Sequence, residues 1–223
     1  MPTLTWQGEI FEPLAEKALH WPRERAVVLA DAHLGKAEQF RAAGVPVPRG
    51  TTASNLARLT ALIERTAAER LLILGDLFHG PASLCDSLIE QFVRWRQAHR
   101  ELAVVAVTGN HDLQAGPVPE SLGVEQAGAV HVQRGLVFRH DPEPDPQGRP
   151  VLAGHVHPAV WLHGPGRSAE RLSCFLFRER LAILPAFGTF TGMKALRLRR
   201  GERVFVVGPG EVVEVSSAAT RSI

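Results

Sequence analysis

The chain has 223 residues, with 25 Lys and Arg against 23 Asp and Glu for a formal charge of +2, and 45% of it is apolar. That is enough to bury a sizeable core in one domain or two small ones, and it excludes intrinsic disorder and fibrous folds. Apolar runs fall far short of the roughly 20 residues that cross a bilayer, and Met1–Glu12 has no signal-peptide pattern. Cys85 and Cys174 carry no paired motif, so they are expected as buried hydrophobes of a cytoplasmic protein with no membrane partner.

Short apolar runs at Ala26–Ala30, Leu71–Leu74, Ala103–Val107 and Val151–Ala153 read as strands buried on both faces. Between the first two, a helix starting near Thr51 or Thr52 places Leu56, Leu59, Leu62 and Ile63 on one face. Between the second and third, a helix opening with Ser83 and Asp86, spaced as in a capping box, buries Leu84, Leu88, Phe92 and Trp95. This alternation predicts an α/β sheet. The second half offers strand-like stretches at Val130–Val132, Leu136–Arg139, Leu172–Phe177, Leu181–Ile183, Ala195–Leu198, Val204–Val207 and Val212–Val215, expected to be mostly antiparallel. Between them, Asp141–Pro150 holds prolines at 142, 144, 146 and 150 and reads as an irregular loop. Candidate site residues lie on both sides of that loop, so residues 1–223 are expected to form a single domain.

Each buried run ends in a polar cluster: Asp31-Ala32-His33, Gly75-Asp76, Gly109-Asn110-His111-Asp112 and Gly154-His155-Val156-His157. In an α/β sheet such ends converge where ligands bind. In extended chain the two-residue spacing of Asp31 with His33, and of His155 with His157, would turn both side chains to one face. Carboxylate, imidazole and amide oxygen suit a borderline divalent ion such as Mn²⁺, Zn²⁺ or Fe²⁺, and the absence of paired cysteines argues against a thiolate site. The set is too large for one tetrahedral ion but suits two ions about 3.5 to 4 Å apart sharing a carboxylate, the arrangement that supports in-line displacement at phosphorus.

In this order the four clusters resemble the motifs of the calcineurin-like metallophosphoesterases. The stretches Asp31–Ala37, Ala43–Pro48, Gly154–Val160 and Leu184–Gly192 narrow the resemblance to the PdeM-type, ligase-associated DNA damage response endonucleases. The resemblance implies two packed mixed β-sheets flanked by helices. It also implies one metal held by Asp31, His33, Asp76 and His157, and a second by Asp76, Asn110, His155 and a further His. That further His is His140, after Leu136–Arg139, or its competitor His131. His111 would be the catalytic acid or transition-state stabiliser, with His79 and Asp112 behind the ligands. The implied activity is hydrolysis of phosphodiesters, with Mn²⁺ as the metal and single-stranded or structured DNA as the substrate. A DNA ligase and a helicase are the implied associates in DNA repair. A small-molecule phosphodiesterase or pyrophosphatase of the lipid-A-pathway type is the alternative.

One departure bears on substrate. Many phosphatases of the family carry Gly-Asp-x-x-Asp-Arg, whereas this chain reads Gly75-Asp76-Leu77-Phe78-His79-Gly80. The Asp that would orient the catalytic His and the Arg that would grip a phosphomonoester dianion are both missing, which favours a diester. Lys36, Arg41 and Arg49 are candidates to track a nucleic-acid backbone, although a solvated basic face would look the same. Phe187, Phe190 and Trp161 have faces that could stack on bases, but core placement is the commoner use of such residues.

Overall fold

The computed structural model describes residues 2–164 and 168–215. Seven strands make the first sheet: β1 (Leu4–Trp6), β2 (Glu9–Leu14), β3 (Ala18–Trp21), β4 (Ala26–Leu29), β5 (Arg70–Leu74), β6 (Ala103–Val107) and β7 (Glu125–Gln126), in that spatial order. Strands β1 to β4 pair antiparallel, and β4 to β7 pair parallel. Parallel neighbours need crossovers, and these carry α1 (Lys36–Ala42), α2 (Thr51–Thr66), α3 (Asp86–Ala98) and α4 (Asn110–Ala115).

The second sheet contains β8 (Val130–Gln133), β9 (Leu136–Arg139), β10 (Val151–Ala153), β11 (Pro158–His163), β12 (Ala169–Phe177), β13 (Leu181–Ile183), β14 (Lys194–Ala195), β15 (Arg203–Val207) and β16 (Val212–Val215). It is less antiparallel than expected, because β10 runs parallel to both β9 and β13, and β11 runs parallel to β14. Of the strand expected over Ala195–Leu198 only Ala195 is in a strand, as the second residue of the two-residue β14. No helix among the described residues is long and apolar enough to cross a membrane.

Period-two alternation distributes the apolar runs between two layers. Val27, Leu29, Leu71 and Ile73 face Leu56, Leu59, Leu62, Phe92 and Trp95 of α2 and α3, while Val28, Leu72, Leu74 and Val105 face Phe138, Leu152, Phe175 and Phe205 of the other sheet. The inter-sheet layer also holds Trp6, Phe11 and Trp21 from the N-terminal meander β1–β3, an element that the run pattern did not signal. Two mixed sheets thus pack face to face with helices outside.

Helix α2 begins at Thr51 and buries the residues expected of it. The capping box proposed for α3 does not form: the helix starts at Asp86 after Cys85, with no side-chain cap. Ser83 lies in a preceding single turn, Pro81–Ser83, where its Oγ accepts the Gly80 N–H (3.1 Å). That local bond competes with the cap and wins. Cys174 is buried, whereas Cys85 is only partly so. The Pro-rich loop is irregular and holds itself together through Asp145, which accepts two bonds from the Arg149 guanidinium at 2.9 and 2.8 Å.

Candidate metal centre

The loops after β4 and β5 are laced together by their backbones: Asp31 N–H donates to Gly75 O (3.2 Å), His33 N–H to Asp76 O (2.8 Å) and Leu34 N–H to Leu77 O (2.8 Å). This lacing sets the buried Asp31, His33 and Asp76 side by side beyond the sheet. The backbone is not extended there. Asp31, His33, Asp76, His155 and His157 all have positive φ, at 53°, 44°, 51°, 66° and 52°. Non-glycine residues rarely adopt that region, and strain of this kind is held only where surrounding structure enforces it. The two-residue spacing therefore converges for a different reason from the one expected, with left-handed residues in place of strand alternation.

Two groups form around the carboxylates. In the first, His157 Nε2 is 3.4 Å from Asp31 Oδ1, and His33 Nε2 is 3.8 Å from Asp76 Oδ2. In the second, His140 Nε2 lies 3.5 Å from Asp76 Oδ2, 2.9 Å from Asn110 Oδ1 and 3.0 Å from His155 Nδ1, with His155 Nδ1 and Asn110 Oδ1 3.1 Å apart. Asp76 faces both. His131 instead lies on β8, its ring against Phe138 and its Nε2 3.5 Å from Gln133 Oε1, so of the two candidates His140 is the one beside Asp76.

Carbonyls fix the tautomers. His140 Nδ1–H donates to Leu74 O (3.0 Å) and His157 Nδ1–H to Gly192 O (3.1 Å), which leaves both Nε2 lone pairs turned toward the carboxylates. His33 Nε2 is buried with no hydrogen-bond partner among the described residues. Burial, and then the Lys36 ammonium, push the His33 imidazole down to about 2, and the same two causes push His79 down to about 4. Both rings are therefore neutral near pH 7, the form that can donate a lone pair to a cation. Burial raises the Asp76 carboxyl above its ordinary range against the pull of His140, and the Asp31 charge adds to the rise.

These features fit divalent ions. Two donor atoms about 2.1 Å from one ion lie roughly 3.0 to 3.4 Å apart at right-angled to tetrahedral geometry, close to the spacings above. An orphaned buried imidazole nitrogen and paired buried carboxylates are costly unless a cation faces them.

His111 stands at the edge of the cluster on α4. Its N–H donates to Asp76 Oδ1 (2.9 Å), and its Nδ1–H donates to the backbone carbonyl of His79 (2.6 Å). The orienting carboxylate missing from the sequence is thus replaced by a main-chain oxygen, which no side-chain motif could reveal. The two rings stack with centroids 4.5 Å apart, and His79 Nδ1 is 3.1 Å from His33 Nδ1. Asp112 is buried behind the site, accepting Phe78 N–H and Gly109 N–H at 2.9 Å each; burial raises its pKa against those bonds. Among the cationic candidates, Lys36 is half-buried beside the cluster, Arg49 is exposed, and Arg41 is engaged by Glu38 at 2.9 Å.

Gly109 is required by space: a Cβ there would overlap the Asp76 carboxylate and backbone N. Gly109→Ala is expected to destabilise the fold by about 1 to 3 kcal/mol and to displace Asp76. Thermal melts and bound-metal analysis check this, and a variant with full metal content would contradict it.

A family model described as calcineurin-like phosphoesterase matches residues 24–163. Among solved structures, the chain is similar to the Pseudomonas putida nuclease MPE, at 36% identity over 96% of this chain and 99% of that one, with a TM-score of 0.84. It also matches Yfce, a phosphoesterase from E. coli, at 14% identity over 88% of this chain and 99% of that one, with a TM-score of 0.40. Among curated proteins none matches.

Proposed function

The chain belongs to the calcineurin-like phosphoesterases, and from that premise we propose that it is a DNA phosphodiesterase, a Mn²⁺-dependent endonuclease that acts in DNA repair. The observation that carries the chemistry is the convergence of Asp31, Asp76 and His140, all nearly inaccessible, with imidazole lone pairs aimed between them. Support for a nucleic-acid substrate comes from the similarity over nearly the whole chain to a solved nuclease, and DNA in particular follows from the resemblance of the sequence stretches. A repair role alongside a ligase and a helicase follows from the resemblance of the four sequence stretches, and the proposed single domain from the candidate site's drawing on both sheets.

In this reading Asp31, His33, Asp76 and His157 hold one ion, and Asp76, Asn110, His140 and His155 hold the other. When bound, the pair supplies Lewis acidity toward phosphoryl oxygens and acidifies water to near neutrality. The chain's own residues do the rest. The His79 carbonyl holds the His111 Nδ1 proton, so any proton exchanged with the leaving oxygen is carried at Nε2. The neutral Gly80, whose N–H is tied to Ser83 Oγ, stands where a monoesterase would place its arginine. A singly charged diester does without that clamp.

Metal-stripped protein given Mn²⁺ is expected to nick closed circular single-stranded DNA, with His111→Ala as control for contaminating nuclease. A circle has no ends, so nicking reports endonuclease action. A circle that survives while a chromogenic diester is hydrolysed would leave the metal site standing and overturn DNA as the substrate, in favour of the small-molecule reading.

A further inference from the structure

Phe187 is core, with the Arg58 guanidinium 4.0 Å from its ring centroid. Phe190, three residues on, is 42% exposed; the other strongly exposed large apolar side chains among the described residues are aliphatic. Its loop is pinned at both ends by candidate ligands. Gly188 N–H donates to Asp31 O (3.0 Å) and Gly192 O accepts from His157 Nδ1 (3.1 Å), while Thr191 Oγ1 donates to Gly188 O (3.0 Å) within the turn. Packing leaves no slack: a Cβ on Gly188 would overlap Ala32 O. An aromatic ring is therefore held in solvent at a fixed place beside the cluster, at the cost of unburied apolar surface.

The recess under Phe190 is lined by His33, Lys36, Thr51, Thr52 and Thr189. Continuity with the cluster comes through His33. Lys36 supplies the cation; burial lowers its pKa, against the pull of the Asp76 and Asp31 carboxylates. The recess itself has room for about one water, so what it offers a nucleotide is its rim, an apolar ring for a flat base and an ammonium for a phosphate.

We infer that Phe190 and Lys36 form a nucleotide subsite on the His33 flank of the cluster, Phe190 stacking on the base next to the scissile bond and Lys36 pairing with its phosphate. This rests on the reading of the chain as a DNA phosphodiesterase and names the residues by which that site grips its strand. A ring face is available only on an unpaired base, and stacking is indifferent to which base it is.

The test is binding of a fluorescent oligothymidylate, and of an abasic strand of equal length, by anisotropy in the His111→Ala background with Mn²⁺. Phe190→Ala is expected to weaken binding of the oligothymidylate about tenfold or more, with Phe190→Trp restoring it. The abasic strand, which offers nothing to stack on, should bind Phe190 and Phe190→Ala proteins alike. Equal weakening for both strands would mark Phe190 as a loop-packing residue and overturn the subsite, as would no weakening of either while the wild-type protein nicks the circle. If wild-type protein neither binds nor cleaves DNA, the functional reading itself falls and the subsite with it.

Discussion

His111→Ala is expected to keep its bound metal and to lose turnover by roughly 10²- to 10⁴-fold, the usual worth of a positioned proton-transfer group. The geometry separates the two properties. His111 contributes its main-chain N–H to Asp76 Oδ1, and that bond survives truncation of the side chain. Its imidazole contributes a hydrogen bond to the His79 carbonyl, at 2.6 Å, and an Nε2 that neither the Nδ1 contact nor the backbone contact occupies. Metal content by elemental analysis and kcat on DNA, measured on the same preparation, check the expectation. Comparable metal loss and rate loss would make His111 a ligand and overturn the role given to it here. The group (His33, His79, His111) within reach of a common point makes that outcome a concrete competitor.

Asp76→Asn should do the reverse and abolish metal binding and activity together, because Asp76 is the carboxylate that faces both groups of candidate ligands. Burial and the like charge of Asp31 raise its pKa in the metal-free protein. The folded chain therefore holds that proton to higher pH than the unfolded chain does, and stability drains away as pH rises through the folded pKa. At neutral pH the charge is thus a burden on the apo-protein, and the neutral amide should leave its melting temperature equal or higher. Bound metal reverses the balance in the wild-type protein. At a hundredfold excess over Kd a ligand adds about 2.7 kcal/mol, or roughly 5 to 10 °C for a chain of this size. Melts with and without Mn²⁺ check both halves. The metal-induced rise should appear in the wild type and be absent from Asp76→Asn. A rise of equal size in the variant would remove Asp76 from the site.

The ends of four buried runs were legible from sequence because the signal is local: a few β-branched residues in a row, then Asp, Asn, His and Gly. The order of those clusters carried the family, and hence two packed sheets, before any contact was known. Strands β4, β5, β6 and β10 and helix α2 fall within a residue or two of where the pattern puts them. What was illegible depends on partners far apart in the chain. The meander β1–β3 has no uniform apolar run, since β2 alternates partly exposed and buried residues against a single sheet face. The parallel placement of β10 between β9 and β13 is decided by layer packing, which a short antiparallel-looking stretch does not encode.

At the site the division is the same. Residue types determined which ligand atoms are on offer, because carboxylates and imidazoles bring their chemistry wherever they are placed. Tertiary structure decided which atoms meet and in what state. His140 rather than His131 stands beside Asp76 because β9 ends there, and Leu74 O, 66 residues away, turns its Nε2 inward. Gly192 O does the same for His157, and the His79 carbonyl supplies the acceptor that no acidic side chain provides. Backbone carbonyls are the same at every residue, so their identity carries no information along the sequence, and only the fold brings them into range.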